Sequence, residues 1–491
     1  MKNIISIVII ILSIQALTYA QYGKVSDNDT LVKIGDKVIT VDDYLRRAEY
    51  TIRPPYCKGD GGIDKKIVLN SLISEKLIAI EAKKREDNIY KNRFFTDFIK
   101  GRKEQLMRQV LGYTEGPAKV IPDSNEIKKE FIYSCKAYKV KYLIVDNESA
   151  SKAYDSIKTG KSFENVYHDI MGNDSLQTKE IEWKSAEDDN IKNALYSREI
   201  KKDEILGPIE ISDSTSIILK VDGWKEKVLL TDKDIRDRLD EVKEKIIEKK
   251  GNGIYSAFIQ KLMEGRRLDF NKENYPKLLR ATDPYYIISS DKKKESFLDL
   301  AFEKPSKGLI KENIDDIKTL PIFTLDGRTW TTEDLENEMR SHPLVFRKKK
   351  FTRKEYPELF KLAIADLLRD KYLTEAAYER NYDKVEYVKR QTEMWEDASS
   401  ALFEKYRLLA DADTSARNQM YAVENYMNPL TDSLLKKYSG IIEINTDLFN
   451  NIKLTRIDLV TLEPGAPYPV YVPSFPMLTT KNKIDYGRKL K

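Results

Sequence analysis

Histidine and cysteine are the scarcest reactive residues of this 491-residue chain, which holds two of each. His168 follows an amphipathic helical pattern, and His342 stands directly before Pro343. Neither has a companion motif that would make it an acid, a base or a ligand. With so few imidazoles, a Ser-His-Asp triad or a histidine-based metal site is hard to build. Glycine-rich phosphate loops are absent, and Asp326-Gly327 reads as a turn. No cofactor and no metal are expected. Cys57 and Cys135 lie in different segments of the pattern, and their spacing does not decide whether they pair.

The bulk numbers bound what such a chain can be. Its charge of +5 comes from 85 basic and 80 acidic residues mixed along the sequence. A nucleic-acid binder would carry a basic stripe; here the charges read as solvated helix faces. The first twenty residues form a targeting segment: Lys2, an apolar run from Ile4 to Ile14, then Thr18-Tyr19-Ala20 before Gln21. The run is shorter than the ~20 residues of a spanning helix, so cleavage is expected rather than anchoring. No later stretch is apolar enough to span a bilayer. The length implies two to four domains.

Local signals place the elements. Leu31 to Ile39 reads as strand, turn at Gly35-Asp36, and strand, with Thr40 capping a helix whose first turn holds Asp42 and Asp43. Ile67, Leu69, Leu72, Ile73, Leu77 and Ile80 recur at helical spacing. A helix is expected over 93–110, and a short one from Asp123 or Ser124 to Phe131. Tyr138 to Val145 reads as a strand, 149–158 as a helix ended by Gly160, and Gly207-Pro208-Ile209 with 216–221 as returning strands. That order describes a compact α+β unit of about 90 residues. Thr231 caps a long charged helix that Gly251 and Gly253 are expected to break. Residues 462–476 interleave five prolines with Tyr468, Tyr471 and Phe475, a composition favouring an extended arm.

The opening of the mature chain recurs. Ile34 to Tyr44 and Leu325 to Leu335 each read strand, turn, hydrophobe, Thr cap, acids, hydrophobe. Each is followed by a proline break, at Pro54-Pro55 and at Pro343, and then by a long amphipathic helix. Leu72-Ile73, Lys76-Leu77 and Ala82 match Leu367-Leu368, Lys371-Tyr372 and Ala377. The shared order favours a duplication over coincidence.

Val32-x-Ile-Gly-Asp-x-x-Ile-Thr-x-x-Asp-Tyr44, followed by Leu69-x-x-Leu-Ile-x-x-Lys-Leu-x-x-x-Glu-Ala82, resembles the N-terminal chaperone lobe of SurA-like proteins. Residues 138–224 resemble a parvulin domain: Lys139 to Val145 its first strand, Ser162-Phe163 its Gly-x-Ser-Phe turn, and Asp203 to Ile209 its Gly-Glu-x-Ser-x-Pro-Val segment. The resemblance implies a mainly α protein in which helical lobes flank a small α+β domain. It divides the chain into a signal peptide (1–20), an N-terminal helical lobe (21–134), a parvulin-like domain (135–225), a helical connection (226–312), a second lobe (313–430) and a strand with the Pro-aromatic tail (431–491). It also implies a site that has lost its chemistry. The family's two histidine positions fall on Tyr142 and on Ser216 or Ile217. Asp174 is the nearest candidate for the acidic position, and the Gly-Gly-Asp-Leu-Gly-Trp segment keeps only Trp183. The expected function is an exported periplasmic or envelope chaperone for unfolded polypeptides, outer-membrane proteins among them, with isomerase activity lost. The alternatives are an active prolyl isomerase, with Tyr142 and Asp174 replacing the usual network, and an assembly factor that binds one partner through its tail. The 29 tyrosines and 16 phenylalanines suit client binding, although most are expected in cores.

Overall fold

The computed structural model describes residues 29–58, 61–172, 175–212, 214–287, 316–348, 351–410, 412, 418–454 and 472–490. The expected targeting segment, Asp174 and residues 462–471 of the tail lie outside the described residues. The fold is mainly helical, with small sheets, and divides into two compact units. One comprises the chain up to Tyr113 and from Ala257 onward; the other is Thr114–Ser256.

The first unit begins with a hairpin of β1 (Thr30–Ile34) and β2 (Lys37–Thr40), turned by Gly35 at φ +62°. A capping box then opens α1 (Val41–Glu49). The Asp43 N–H donates to Thr40 Oγ1 at 3.2 Å, and the Thr40 N–H to Asp43 Oδ2 at 3.1 Å. Next come α2 (Gly61–Lys83), a 3₁₀ turn at Ile89–Lys91 and α3 (Arg93–Glu115).

The second unit contains α4 (Ser124–Ser134), capped by Asp123, then β3 (Lys136–Asp146), α5 (Asn147–Lys158), α6 (Phe163–Met171), β4 (Thr178–Ile181), α7 (Asp189–Tyr196), β5 (Ile205–Ser212), β6 (Thr215–Glu226) and most of α8 (Asp232–Met263). Its sheet is antiparallel in the order β4-β3-β6-β5. Strand alternation sends Leu143 and Ile218 toward Ala153 of α5 and Phe163 and Tyr167 of α6. It sends Tyr138, Val140, Leu219 and Val221 to the other face, under Leu195 of α7 and Val242 and Ile246 of α8. The expected break at Gly251 and Gly253 does not occur: α8 runs through both. An interior glycine costs a helix only about 1 kcal/mol. At Gly251 a Cβ would lie 2.7 Å from Pro117 Cα, so the glycine makes room for the turn there.

The first unit resumes with β7 (Leu268–Phe270) and α9 (Tyr275–Tyr286). A second hairpin follows, β8 (Pro321–Leu325) and β9 (Arg328–Thr331), turned by Asp326 and Gly327 at φ +51° and +80°. A second Thr-Asp capping box, Thr331 with Asp334, opens α10 (Thr332–Ser341). Then come α11 (Tyr356–Glu379), a 3₁₀ turn at Tyr382–Lys384, α12 (Glu386–Ala410), α13 (Asn428–Tyr438), β10 (Ile442–Ile444), α14 (Thr446–Asn451) and β11 (Arg488–Lys489).

Hairpin, capped helix, long helix, 3₁₀ turn and long helix thus occur twice in the same order. The two series are interleaved. β1 takes its antiparallel partner β10 from the end of the second series, while β8 takes β7 from the stretch after the first. α2 packs on α12. Met107, Val110 and Leu111 of α3 pack on Leu373, Ala376 and Ala377 of α11. Segments that the sequence divides into two lobes therefore share one compact unit.

The charged positions of α1 are not a solvated face. Asp42, Asp43, Arg46, Arg47 and Glu49 are all buried, at 5% exposure or less. Buried charge is tolerated only when paired, and here the pairs lie both within α1 and across to other elements. Arg46 Nε donates to Asp42 at 2.7 Å, Arg390 of α12 lies 3.4 Å from Asp42 and from Asp43, and Lys37 donates to Asp397 at 2.9 Å.

Candidate functional site

The sheet of the second unit carries the residues singled out from sequence. Tyr142 sits on β3, its N–H donating to Gln177 O at 3.1 Å and its register partner being Leu219. Its half-buried ring packs against the cluster containing Tyr138, Ile217 and Leu219. Ser216 pairs with Val145, whose side chain lies on the opposite face with Leu143 and Ile218. Ser216 is buried there, and its Oγ donates to Asn147 Oδ1 at 2.8 Å. The structure therefore brings Tyr142 and Ile217 to one face and leaves Ser216 on the other; Asp174 lies outside the described residues. Trp183 shares the Tyr142 face, with its Nε1 donating to Glu241 at 3.1 Å and its ring edge-on to Tyr196.

The other scarce residues are held apart. His168 Nδ1 is 3.2 Å from Gly172 O at the end of α6. His342 Nε2 is 3.1 Å from Asp370 on α11. Both cysteines are free thiols; burial pushes Cys57 up to about 12, so it is inert as a nucleophile at neutral pH.

A more developed site lies in the first unit, along α12. Residues 472–478, the described end of the Pro-aromatic tail, have no regular secondary structure and run as a strap over the core. Phe475 and Leu478 bury themselves in the cluster shared by β1, α2 and β10. The strap is held through its backbone. Arg47 Nη2 donates to Ser474 O at 3.0 Å and Lys405 Nζ to Met477 O at 2.8 Å. Farther on, Asn70 Nδ2 donates to Lys481 O at 2.7 Å and to Lys483 O at 2.9 Å. Arg47 also makes a two-pronged pair with Glu75, both bonds 2.7 Å.

Beside the strap a cavity of about 710 Å³ opens between it and the C-terminal half of α12. Trp395, Leu402, Leu409 and Phe475 supply apolar wall; Lys405 and Glu75 also line it. Burial pushes the Lys405 ammonium down to about 8. Sequence reading missed this site, but a signal exists. Lys405 stands in a stripe with Met394, Ala398, Ala401 and Leu409, spaced three or four apart, so a charge occupies an apolar position. Arg47 is similarly placed beside the Tyr44, Leu45 and Ala48 face of α1.

No protein-family model matches this chain, and no curated protein matches it. Among solved structures it is similar to the foldase protein PrsA from Lactococcus lactis, a 3.10 Å crystal structure, at 13% identity. The match covers 48% of this chain and 92% of that one, with a TM-score of 0.17, a weak likeness. Among the described residues no helix is long and apolar enough to cross a membrane.

Proposed function

We propose that this chain is an exported chaperone of the SurA and parvulin type, which holds unfolded envelope or outer-membrane polypeptides in the periplasm and has lost prolyl isomerase activity. The observation that carries this reading is the bed along α12. There the buried Arg47 and the half-buried Lys405 grip an extended segment by its carbonyl oxygens, beside an open apolar cavity. Carbonyls are common to every residue, so such a bed recognises extended chain with little regard to sequence. A large apolar space takes whatever side chain arrives.

The loss of isomerase chemistry is supported by the sheet. Tyr142 and Ser216 lie on opposite faces, so they cannot join one polar network around a twisted peptide bond. Ile217, which does share the Tyr142 face, has no polar atom. An apolar pocket that binds ground state and transition state alike does not speed rotation.

The test is aggregation of an unfolded outer-membrane protein diluted from denaturant. The mature chain is expected to suppress it, and a form lacking residues 138–224, joined by a short linker, is expected to keep most of that effect. A folded deletion that binds nothing would move the client site into the second unit. Catalytic amounts of the mature chain should leave exchange of a proline peptide at its uncatalysed tens to hundreds of seconds. Faster exchange, abolished by Tyr142→Phe, would restore the isomerase.

A further inference from the structure

We propose that the cavity between α12 and the 472–478 strap is a receptor for the free C-terminal carboxylate of an extended polypeptide. Lys405 is the carboxylate's partner, and the apolar walls take the terminal side chain. The assignment rests on the chaperone reading and gives that site a preferred end of the client.

The argument starts from charge. Among the described residues, one acidic and one basic side chain reach the cavity wall, Glu75 and Lys405. Glu75 is spoken for, since both its oxygens receive a bond from Arg47 at 2.7 Å. Among the described residues, Lys405 donates to the carbonyl of Met477, at 2.8 Å, which offers a dipole and no counter-charge. Burial pushes its ammonium down, and among the described residues no acidic group offsets that loss of water. An ammonium has three protons to donate. One is used on Met477, and two remain for an incoming anion, which would meet a charge-assisted bond in a water-poor setting.

The surroundings indicate what carries the anion. Trp395 and Phe475 offer ring surface, Leu402 and Leu409 aliphatic surface, and the volume of about 710 Å³ exceeds one side chain. The strap's own extended backbone already lies along this wall, where Lys405 binds the Met477 carbonyl. A client lying along the strap would thus meet a bed suited to main chain, and its last residue would place a carboxylate within reach of the amine.

The experiment uses the full mature chain and one apolar, aromatic-containing dodecapeptide, labelled at its N-terminus and made in two forms, free acid and C-terminal amide. Binding is read by fluorescence anisotropy. Wild type is expected to prefer the acid by roughly tenfold, the scale of one charge-assisted bond. Lys405→Met should bring the acid down to the amide's affinity, and Lys405→Arg should keep the preference. Equal binding of acid and amide by wild type would overturn the carboxylate receptor and leave the chaperone reading standing. If neither peptide binds, the receptor falls, and the chaperone reading falls with it only if aggregation suppression is also absent. A competition arm with decanoate separates the sources of the acid. Displacement of the peptide acid at equal concentration would assign the cavity to a free fatty acid and overturn the polypeptide assignment.

Discussion

At the scale of single residues, the first unit is organised by charges that sequence reasoning assigns to solvent. Arg47 and Glu75 are 1% and 4% exposed and bonded twice to each other. Breaking one side of such a pair leaves an uncompensated buried charge, at a cost of about 3–5 kcal/mol. Arg47→Met is therefore expected to lower the unfolding free energy by that amount, read as a lower urea midpoint at unchanged m. Arg47→Met with Glu75→Leu together should recover most of it, as chemical denaturation of the two variants would show. Glu164 poses a different case in the second unit. Lys141 of β3 and Lys220 of β6 are direct register partners, a like-charge pair that a sheet disfavours. Glu164 of α6 receives both, at 3.0 Å and 2.7 Å. Burial would raise the Glu164 carboxyl, but the bonds from Lys220 and Lys141 outweigh it and hold it at about 2. A carboxyl lowered in the fold stabilises above its unfolded value, and that contribution disappears as pH falls toward about 2. Glu164→Gln is expected to weaken the second unit at neutral pH, more in low salt than in high, and to flatten its stability profile below pH ~4.5. A pH series of thermal melts decides this.

At the scale of elements, two glycines separate packing from propensity. Gly101 lies within α3, where a Cβ would overlap the carbonyl oxygen of Ser341 at the end of α10. Gly101→Ala is expected to cost about 1–3 kcal/mol through overpacking. Gly253 sits in α8 with no described atom within 4 Å of its would-be Cβ, so Gly253→Ala should gain about 1 kcal/mol from helix propensity. Melting temperatures moving in the same direction would contradict the pair. The elements best read from sequence are those whose signals are local. Thr40 and Thr331 with acids three residues on gave both capped helices, and Asp123 gave the start of α4. Tyr138 to Val145 lies within β3 as expected. The illegible parts depend on distant partners. The sequence reading places a strand within 431–491, but nothing local says that its antiparallel partner is β1, about four hundred residues earlier. The face that Ser216 occupies follows from its register with Val145, which the spacing of one strand does not reveal. Lys405 was passed over because its neighbours across the cavity come from 473–478, about seventy residues on.

At the scale of the whole molecule, export is an expectation with its own test. N-terminal sequencing of protein from fractionated cells should find Gln21 first, outside the cytoplasm; Met1 on a cytoplasmic species would reject it. The interleaving of the two series makes a further demand. A chain stopped at residue 438 loses β10 and the strap together, uncovering Val32 and Ile34 on the β1 edge and the bed of Phe475 and Leu478. Such a chain is expected to bind an apolar dye and to show fast amide exchange over 30–40, while the amides of 136–226 stay protected. Native protection over 30–40 in the shortened chain would show that the hairpin stands without its distant partner.

The pairing of β1 with β10 also sets an order in time. A polypeptide is made, and threaded through any pore, from its first residue to its last, yet the strand that completes residues 30–34 lies at 442–444. At about 5–20 residues per second, some 400 residues take roughly 20–80 s to appear. For that interval a hairpin with an open edge and an apolar face must wait, although a closed loop of that length adds little to the final entropy cost. On the chaperone reading proposed above, the protein is itself, at birth, an unfinished chain of the kind it would shelter. On that reading a new molecule would be a client for those already folded, and refolding of the purified chain from denaturant should speed up when folded chain is added.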